Sequence, residues 1–142
     1  MMSTNTQSSQ KRMTDGADTE KRFHAHVQSL LERMADEHRG LWMAQELRDP
    51  TIARAIWDED LIHAHYLRLK PIVGEILGGD AADEETARLS SFSILGQCAF
   101  YLYSHVLVAR FYPERHLKTE TIERVARHIA QFSFGALKEL KK

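Results

Sequence analysis

The sequence is short of cysteine and has no excess of charge of either sign. Cys98 is the only cysteine among 142 residues, which excludes an internal disulfide and a paired-cysteine metal site and is typical of a reducing compartment. Nineteen basic and twenty acidic residues give a net charge of -1, so no overall field attracts the chain to nucleic acid or to anionic lipid. The composition predicts a cytoplasmic protein.

The chain also lacks the marks of export, of β-structure and of linked domains. Residues 1–16 are polar and contain no apolar stretch of the kind a signal peptide needs. There is no alternating strand pattern, no internal repeat and no linker rich in Gly, Ser and Pro. We expect residues 1–17 to be a disordered leader and residues 18–142 to form one domain around one core.

What the sequence does contain is helical periodicity. Apolar residues spaced three and four apart predict one helix from Asp18 to about Asp36, another over residues 52–77, and a last one from Thr119 to about Leu140. Asp49-Pro50 predicts a helix start after a short apolar helix, LWMAQEL, and Gly78-Gly79 predicts a helix end. Pro71 is expected to kink or divide the second long helix. The fold class predicted is all-α.

A further helix carries a long run without charge. Leu89 to Ala109 contains no Asp, Glu, Lys or Arg, and a membrane-spanning helix needs roughly 20 mostly apolar residues. Four serines, Gln97 and His105 lie in the run, and each would need a partner in hydrocarbon. We therefore expect the helix to be buried in protein, and no membrane contact.

This helix has two apolar faces, so we expect one face to pack on its own bundle and the other on a second subunit. Small residues at Ser93 and Gly96 would permit close approach of the partner helix. The final helix offers a second apolar stripe. The homodimer interface predicted from these two helices consists of Phe92, Ser93, Gly96, Phe100, Tyr103, Ile122, Val125, Ile129 and Phe132.

Metal and cofactor sites find little support in the sequence. The pairs His24/His26 and His63/His65 are two residues apart, which places the rings about 200° apart on a helix, so neither pair can chelate one ion. No Glu-x-x-His of the helix-bundle metal type occurs. We predict no metal, no cofactor and no catalytic residue. A small all-α enzyme that binds metal or haem stays open as an alternative.

Convergent polar groups among aromatic residues are typical of a small-molecule pocket. Cys98 is expected to be a buried, inert thiol, with a redox role for Cys98 beside His105 as the alternative. The ligand-binding residues predicted for a small, largely apolar molecule are Trp42, Met43, Glu46, His65, Tyr66, Gln97, Cys98, Tyr101 and His105.

Three segments together resemble one family. SFSILGQCAFY, LWMAQELRDPT and HAHYLRLKPIVGEILGGDAADEE are similar to segments of the C-terminal domain of TetR-type transcriptional regulators, in the CerR-like branch, and the resemblance covers roughly Asp18 to Leu140. It implies that residues 18–142 form an effector-binding and dimerisation domain. The last two long helices would form a four-helix dimer interface, and the helices before them would enclose a pocket for a small effector.

The sequence departs from the family at its start. TetR-type regulators carry a helix-turn-helix domain ahead of this region, and a recognition helix needs a packed three-helix unit that the polar leader cannot provide. We expect DNA contact only through a helix-turn-helix domain missing from this chain, which would be the sensing half of a regulator, a truncated product or an excised domain. Another alternative is a headless partner that forms mixed dimers with a full-length regulator.

Overall fold

A computed structural model of the chain describes residues 16–36, 59–79, 83–103 and 119–141. Helix α1 spans residues 16–36, α2 spans Glu59–Leu77, α3 spans Glu84–Tyr103 and α4 spans Thr119–Lys141. These ranges contain no strand, so the all-α prediction is confirmed. Residues 1–15 of the predicted leader, the predicted LWMAQEL helix and the Asp49-Pro50 helix start lie outside the described residues, whereas residues 16 and 17 belong to α1.

Helix α2 ends where the glycines predict, but Pro71 does not divide it. The helix continues through Pro71 to Leu77, with Leu69 and Val73 buried on either side of the proline. Core packing on both sides holds the helix together despite the lost backbone hydrogen bond. Gly78 and Gly79 have φ values of 127° and 66°, a left-handed backbone that side chains resist and that terminates a helix.

Helix α3 begins at a capped, acidic first turn. The carboxylate of Asp83 accepts hydrogen bonds from the backbone N–H of Thr86 at 3.0 Å and from its hydroxyl at 2.7 Å, which lower the pKa of Asp83. Glu84 and Glu85 follow in the first turn, where the helix dipole favours negative charge. Because the pKa of Asp83 is lowered on folding, its stabilising effect is present near neutral pH and is lost on acidification.

The core is built from one apolar stripe on each helix. The ring centroids of Phe23 in α1 and Phe134 in α4 are 6.0 Å apart. All five residues of the stripe that spacing predicts for α1 are buried: Phe23, Val27, Leu30, Leu31 and Met34. The largest side chains that are fully shielded from solvent include Phe23, Leu31, Leu69, Ile94, Leu102, Ile129 and Leu137. The periodicity thus identified the packed face of α1. Of the five residues it predicts for one face of α2, Leu69, Val73 and Ile76 are buried, and Ile62 and Tyr66 are half-buried.

The buried face of α4 differs from the stripe predicted for it. The spacing predicts a stripe of Ile122, Val125, Ile129, Phe132, Ala136 and Leu140. Ile122 and Ile129 are buried within the subunit, but Phe132, Ala136 and Leu140 are exposed. The helix instead turns a neighbouring row inward, because the small residues Ala126, Ala130 and Ser133 permit close packing on the other helices. The buried residues of α4 are Ile122, Ala126, Ile129, Ala130, Ser133, Phe134 and Leu137.

Contacts between helices fix their arrangement. Arg22 of α1 pairs with Glu75 of α2, and Lys70 of α2 pairs with Glu84 at the start of α3. The Tyr66 and Phe92 rings stack further along α2 and α3, so these two helices run antiparallel. The hydrogen bond from Gln97 to Ser133 and the contact between Tyr101 and His128 show that α3 and α4 are also antiparallel.

Candidate dimer surface and ligand-facing residues

One side of α3 faces solvent although it is apolar. Phe92 is 51% exposed, Phe100 50% and Leu89 57%, and Ser93 and Gly96 are exposed between them. A Cβ added at Gly96 would meet no atom within 4 Å, so this part of the backbone is open to a neighbouring molecule. The opposite side of the same helix, with Ile94, Cys98 and Leu102, is buried. The two apolar faces predicted for the helix are therefore present.

Aromatic rings connect this face of α3 to the helices on both sides. Tyr66 of α2 stacks on Phe92 with centroids 5.1 Å apart, and Phe100 meets Tyr101 edge to face at 5.7 Å. Two further contacts continue from Tyr101 into α4: Tyr101 to His128 at 6.4 Å and His128 to Phe132 at 5.8 Å. The contacts thus form two groups, and their members Phe92 and Phe100 lie two turns apart on the exposed side of α3. We call the six residues of both groups the aromatic surface: Tyr66, Phe92, Phe100, Tyr101, His128 and Phe132.

The structure separates the predicted interface residues into two groups. Phe92, Ser93, Gly96, Phe100 and Phe132 are exposed, and Phe132 is 64% exposed. In contrast, the side chains of Ile122 and Ile129 are buried in the core of the subunit itself, so they cannot present surface to a second subunit. Val125 is half-buried and packs on the core. The side chain of Tyr103 lies outside the described residues.

The predicted ligand-binding residues that the structure describes do not share one surface. Gln97 and Tyr101 lie one turn apart and face α4, whereas half-buried Tyr66 lies against Phe92. His65 and Cys98 are buried. Trp42, Met43, Glu46 and His105 lie outside the described residues.

Gln97 is held in place by two hydrogen bonds. Its Nε2 donates to the hydroxyl of Ser133 at 3.1 Å and to the carbonyl of Ser93 at 3.5 Å. Since Ser133 is buried, the bond to its hydroxyl is a polar link within the α3–α4 contact. Neither Ser133 nor His128 is among the functional residues predicted from the sequence. Helical spacing could have indicated both residues, because residues one turn apart share a side of a helix. Ser133 follows buried Ile129 by one turn, and His128 precedes exposed Phe132 by one turn.

Cys98 is fully buried on α3, and desolvation raises the pKa of its thiol from 9.0 to about 12. Between those two values the folded protein keeps a proton that the unfolded chain releases, so stability decreases as pH rises through that window.

Because the thiolate is the nucleophile, we expect Cys98 in the native protein to be almost unreactive toward a thiol reagent at pH 8 and to react rapidly in denaturant. Equal rates in both conditions would contradict this.

No group of three or more His, Cys, Asp or Glu residues that could hold a metal ion occurs within residues 16–36, 59–79, 83–103 and 119–141. Among the same residues, none of the helices combines the length and the apolar character that crossing a membrane requires.

Comparison with known proteins identifies the family. Residues 19–137 match the model of the family described as "HTH-type transcriptional dual regulator CecR, C-terminal domain", so the branch is that of CecR, where the sequence analysis named it CerR. Neither the curated proteins nor the solved structures gave a significant match. The match covers most of the chain and agrees with the all-α fold. The chain therefore belongs to the family of CecR C-terminal domains, a domain of TetR-type transcriptional regulators.

Proposed function

We propose that this regulator domain works as a homodimer that binds a small effector, and that its subunits meet through the outward face of α3 and the adjoining part of α4. The observation that carries the proposal is the aromatic surface. Phe92, Phe100 and Phe132 are each at least half exposed. Ring contacts link Phe100 to Phe132 through Tyr101 and His128, and Phe92 lies two turns before Phe100 on the same exposed side of α3. Contiguous apolar patches of this kind mark interaction sites in soluble proteins.

The area left exposed can support association. A phenylalanine side chain buries roughly 150–250 Å², so a half-exposed ring leaves roughly 100 Å², worth about 2.5 kcal/mol at about 25 cal/mol per Å². A two-fold axis uses each ring twice. The combined gain from three rings is comparable to the cost of association, estimated at roughly 4–15 kcal/mol. Close helix approach at Gly96 would add further contact area.

The first experiment measures the mass of the purified chain by light scattering over a range of concentrations. We expect about twice the subunit mass of 16.4 kDa. A mass that stays at one subunit up to high micromolar concentration would refute the dimer.

The effector we propose is a small, largely apolar molecule with one or two hydrogen-bonding groups. The described interior supports this, because it is apolar apart from a few polar side chains, among them His65, Ser91 and Ser133. A ligand that prefers one arrangement of the helices would shift the dimer between two states, and this shift is how effector binding would reach the DNA-reading part of a complete regulator. Such a regulator would act in the cytoplasm, where the thiol of Cys98 stays reduced.

An effector of this kind should raise the melting temperature as its concentration exceeds its dissociation constant. In a thermal-shift screen of small apolar compounds we expect at least one saturable stabiliser, and a smaller stabilisation of the double variant Tyr101→Ala/His105→Ala. Glu32→Arg, on the exposed side of α1, should respond like the wild type. A diverse library without a stabiliser would count against sensing. If every stabiliser raised the melting temperature of the double variant as much as that of the wild type, the proposed ligand-binding role of Tyr101 and His105 would be contradicted.

A further inference from the structure

His128 of α4 lies between two rings of the aromatic surface. Its imidazole meets the Tyr101 ring of α3 edge to face, with the centroids 6.4 Å apart, and is tilted against the Phe132 ring at 5.8 Å. The side chains of His128 and Phe132 are both exposed in the subunit. The imidazole therefore lies where the aromatic surface passes from α3 to α4, inside the proposed interface.

His128 is the one member of the aromatic surface whose side chain changes charge between pH 5 and 8. The other five members are phenylalanine or tyrosine, which are uncharged in that range. The surface contains no carboxylate. A second copy of the chain that meets it across a two-fold axis therefore brings no carboxylate from its own aromatic surface to balance a positive imidazolium.

The charged groups near His128 do not offset an added positive charge. Exposed Arg124 lies one turn before His128 on α4 and shares its side of the helix. Glu123 lies five residues before His128 and points about 140° away around the helix. Within Glu84–Tyr103, helix α3 carries no charge after Arg88, which lies 13 residues before Tyr101, or about 20 Å along the helix.

We propose that protonation of His128 dissociates the dimer, so that the association of this domain responds to pH. The inference rests on the proposed dimer and names the proton as an agent that regulates it. In the separate subunit an imidazolium keeps its water together with its contacts to the Tyr101 and Phe132 rings, which attract a cation. In the dimer the ring contacts persist but the water is lost, and this desolvation disfavours the charged form.

Formation of the dimer from protonated subunits therefore releases up to two protons, one from each His128. By linkage, the dimer is favoured as pH rises and is weakened as pH falls through the range in which imidazole titrates. With two protons taken up on dissociation, the dissociation constant increases by up to about a hundredfold for each unit that pH falls. Protons thus act on the same association equilibrium as the proposed effector.

The test is the dissociation constant of the dimer, measured by analytical ultracentrifugation at pH 8 and at pH 5.5 with equal ionic strength. For the wild type we expect a value at least about tenfold larger at pH 5.5. His128→Gln stays neutral and should give similar values at the two pH values. His128→Lys is charged at both and should dimerise weakly at both.

His63→Gln is the matched control. His63 is also exposed and stacks on a ring of the aromatic surface, that of Tyr66, with centroids 6.5 Å apart, but it belongs to α2 and lies outside the proposed interface. This variant should keep the pH dependence of the wild type. Retention of that dependence in His128→Gln, or its loss in His63→Gln, would overturn the proposal.

The wild type alone separates failure of this inference from failure of the dimer. A dimer with equal dissociation constants at the two pH values would overturn the role of His128 and leave the dimer in place. A chain that is monomeric at pH 8 would overturn the dimer and this inference with it. Circular dichroism at both pH values should show the same helical signal, and unfolding at pH 5.5 in place of a folded monomer would contradict the proposal.

Discussion

Gly96→Arg should convert the protein from a dimer to a folded monomer. In the subunit Gly96 is exposed and a Cβ there meets no atom within 4 Å, so the arginine side chain has room. Replacing a helical glycine also improves helix propensity by up to about 1 kcal/mol. In the proposed interface, however, the substitution buries a charge without a partner, which costs on the order of 3–5 kcal/mol, and the two-fold axis introduces it twice.

Light scattering and circular dichroism together check this result. We expect one subunit mass with the helical signal of the wild type. Ala25→Arg is the matched control, because it places the same side chain at a small, exposed position of α1, and it should leave the dimer intact. A Gly96→Arg protein with an unchanged dimer mass would show that this face of α3 is not the interface.

The second large effect is expected in the core. Phe23→Ala should lower the free energy of unfolding by about 3–5 kcal/mol, the usual cost of replacing a buried phenylalanine by alanine. Phe23 is fully shielded from solvent and its ring lies 6.0 Å from that of Phe134, so the truncation leaves a cavity between α1 and α4. Urea denaturation of the Gly96→Arg monomer with and without Phe23→Ala measures the difference without a contribution from dimerisation.

Phe132→Ala in the same monomeric background is the control for the core prediction. Phe132 is 64% exposed in the subunit, and truncation of an exposed side chain usually changes stability by less than about 0.5 kcal/mol. In the wild-type background the same substitution should weaken the dimer. Similar losses of stability for Phe23→Ala and Phe132→Ala in the monomer would contradict the burial of the two residues.

The fold could be predicted largely from periodicity because it is a local property of the sequence. The stripe of α1 and the glycine end of α2 follow from spacing and backbone conformation alone. On α4, spacing could not decide between two overlapping stripes, because Phe132 and Phe134 are both apolar and only the packing of α1 places Phe134 inward. The same ambiguity explains why Ile122 and Ile129 were assigned to the dimer interface although they are buried inside the subunit.

The candidate sites were less predictable, because they depend on how residues far apart in the sequence are brought together. The link between Gln97 and Ser133 spans 36 residues and the pair Arg22 and Glu75 spans 53. Both depend on the register of neighbouring helices, which composition and periodicity do not specify. The exposed face of α3 was predictable for a different reason: a helix with phenylalanine on one side and Ile94 and Leu102 on the other cannot bury both in one small bundle.

The most direct test of the proposed dimer is an isotope-filtered NOE experiment on an equimolar mixture of labelled and unlabelled chains, because it detects contacts between subunits only. We predict intersubunit NOEs from the rings of Phe92, Phe100 and Phe132 to residues of α3 and α4. The exposed side of α1, represented by Ala25 and Glu32, should give none. Intersubunit NOEs confined to α1, or none from the three rings in a sample of dimer mass, would contradict the account.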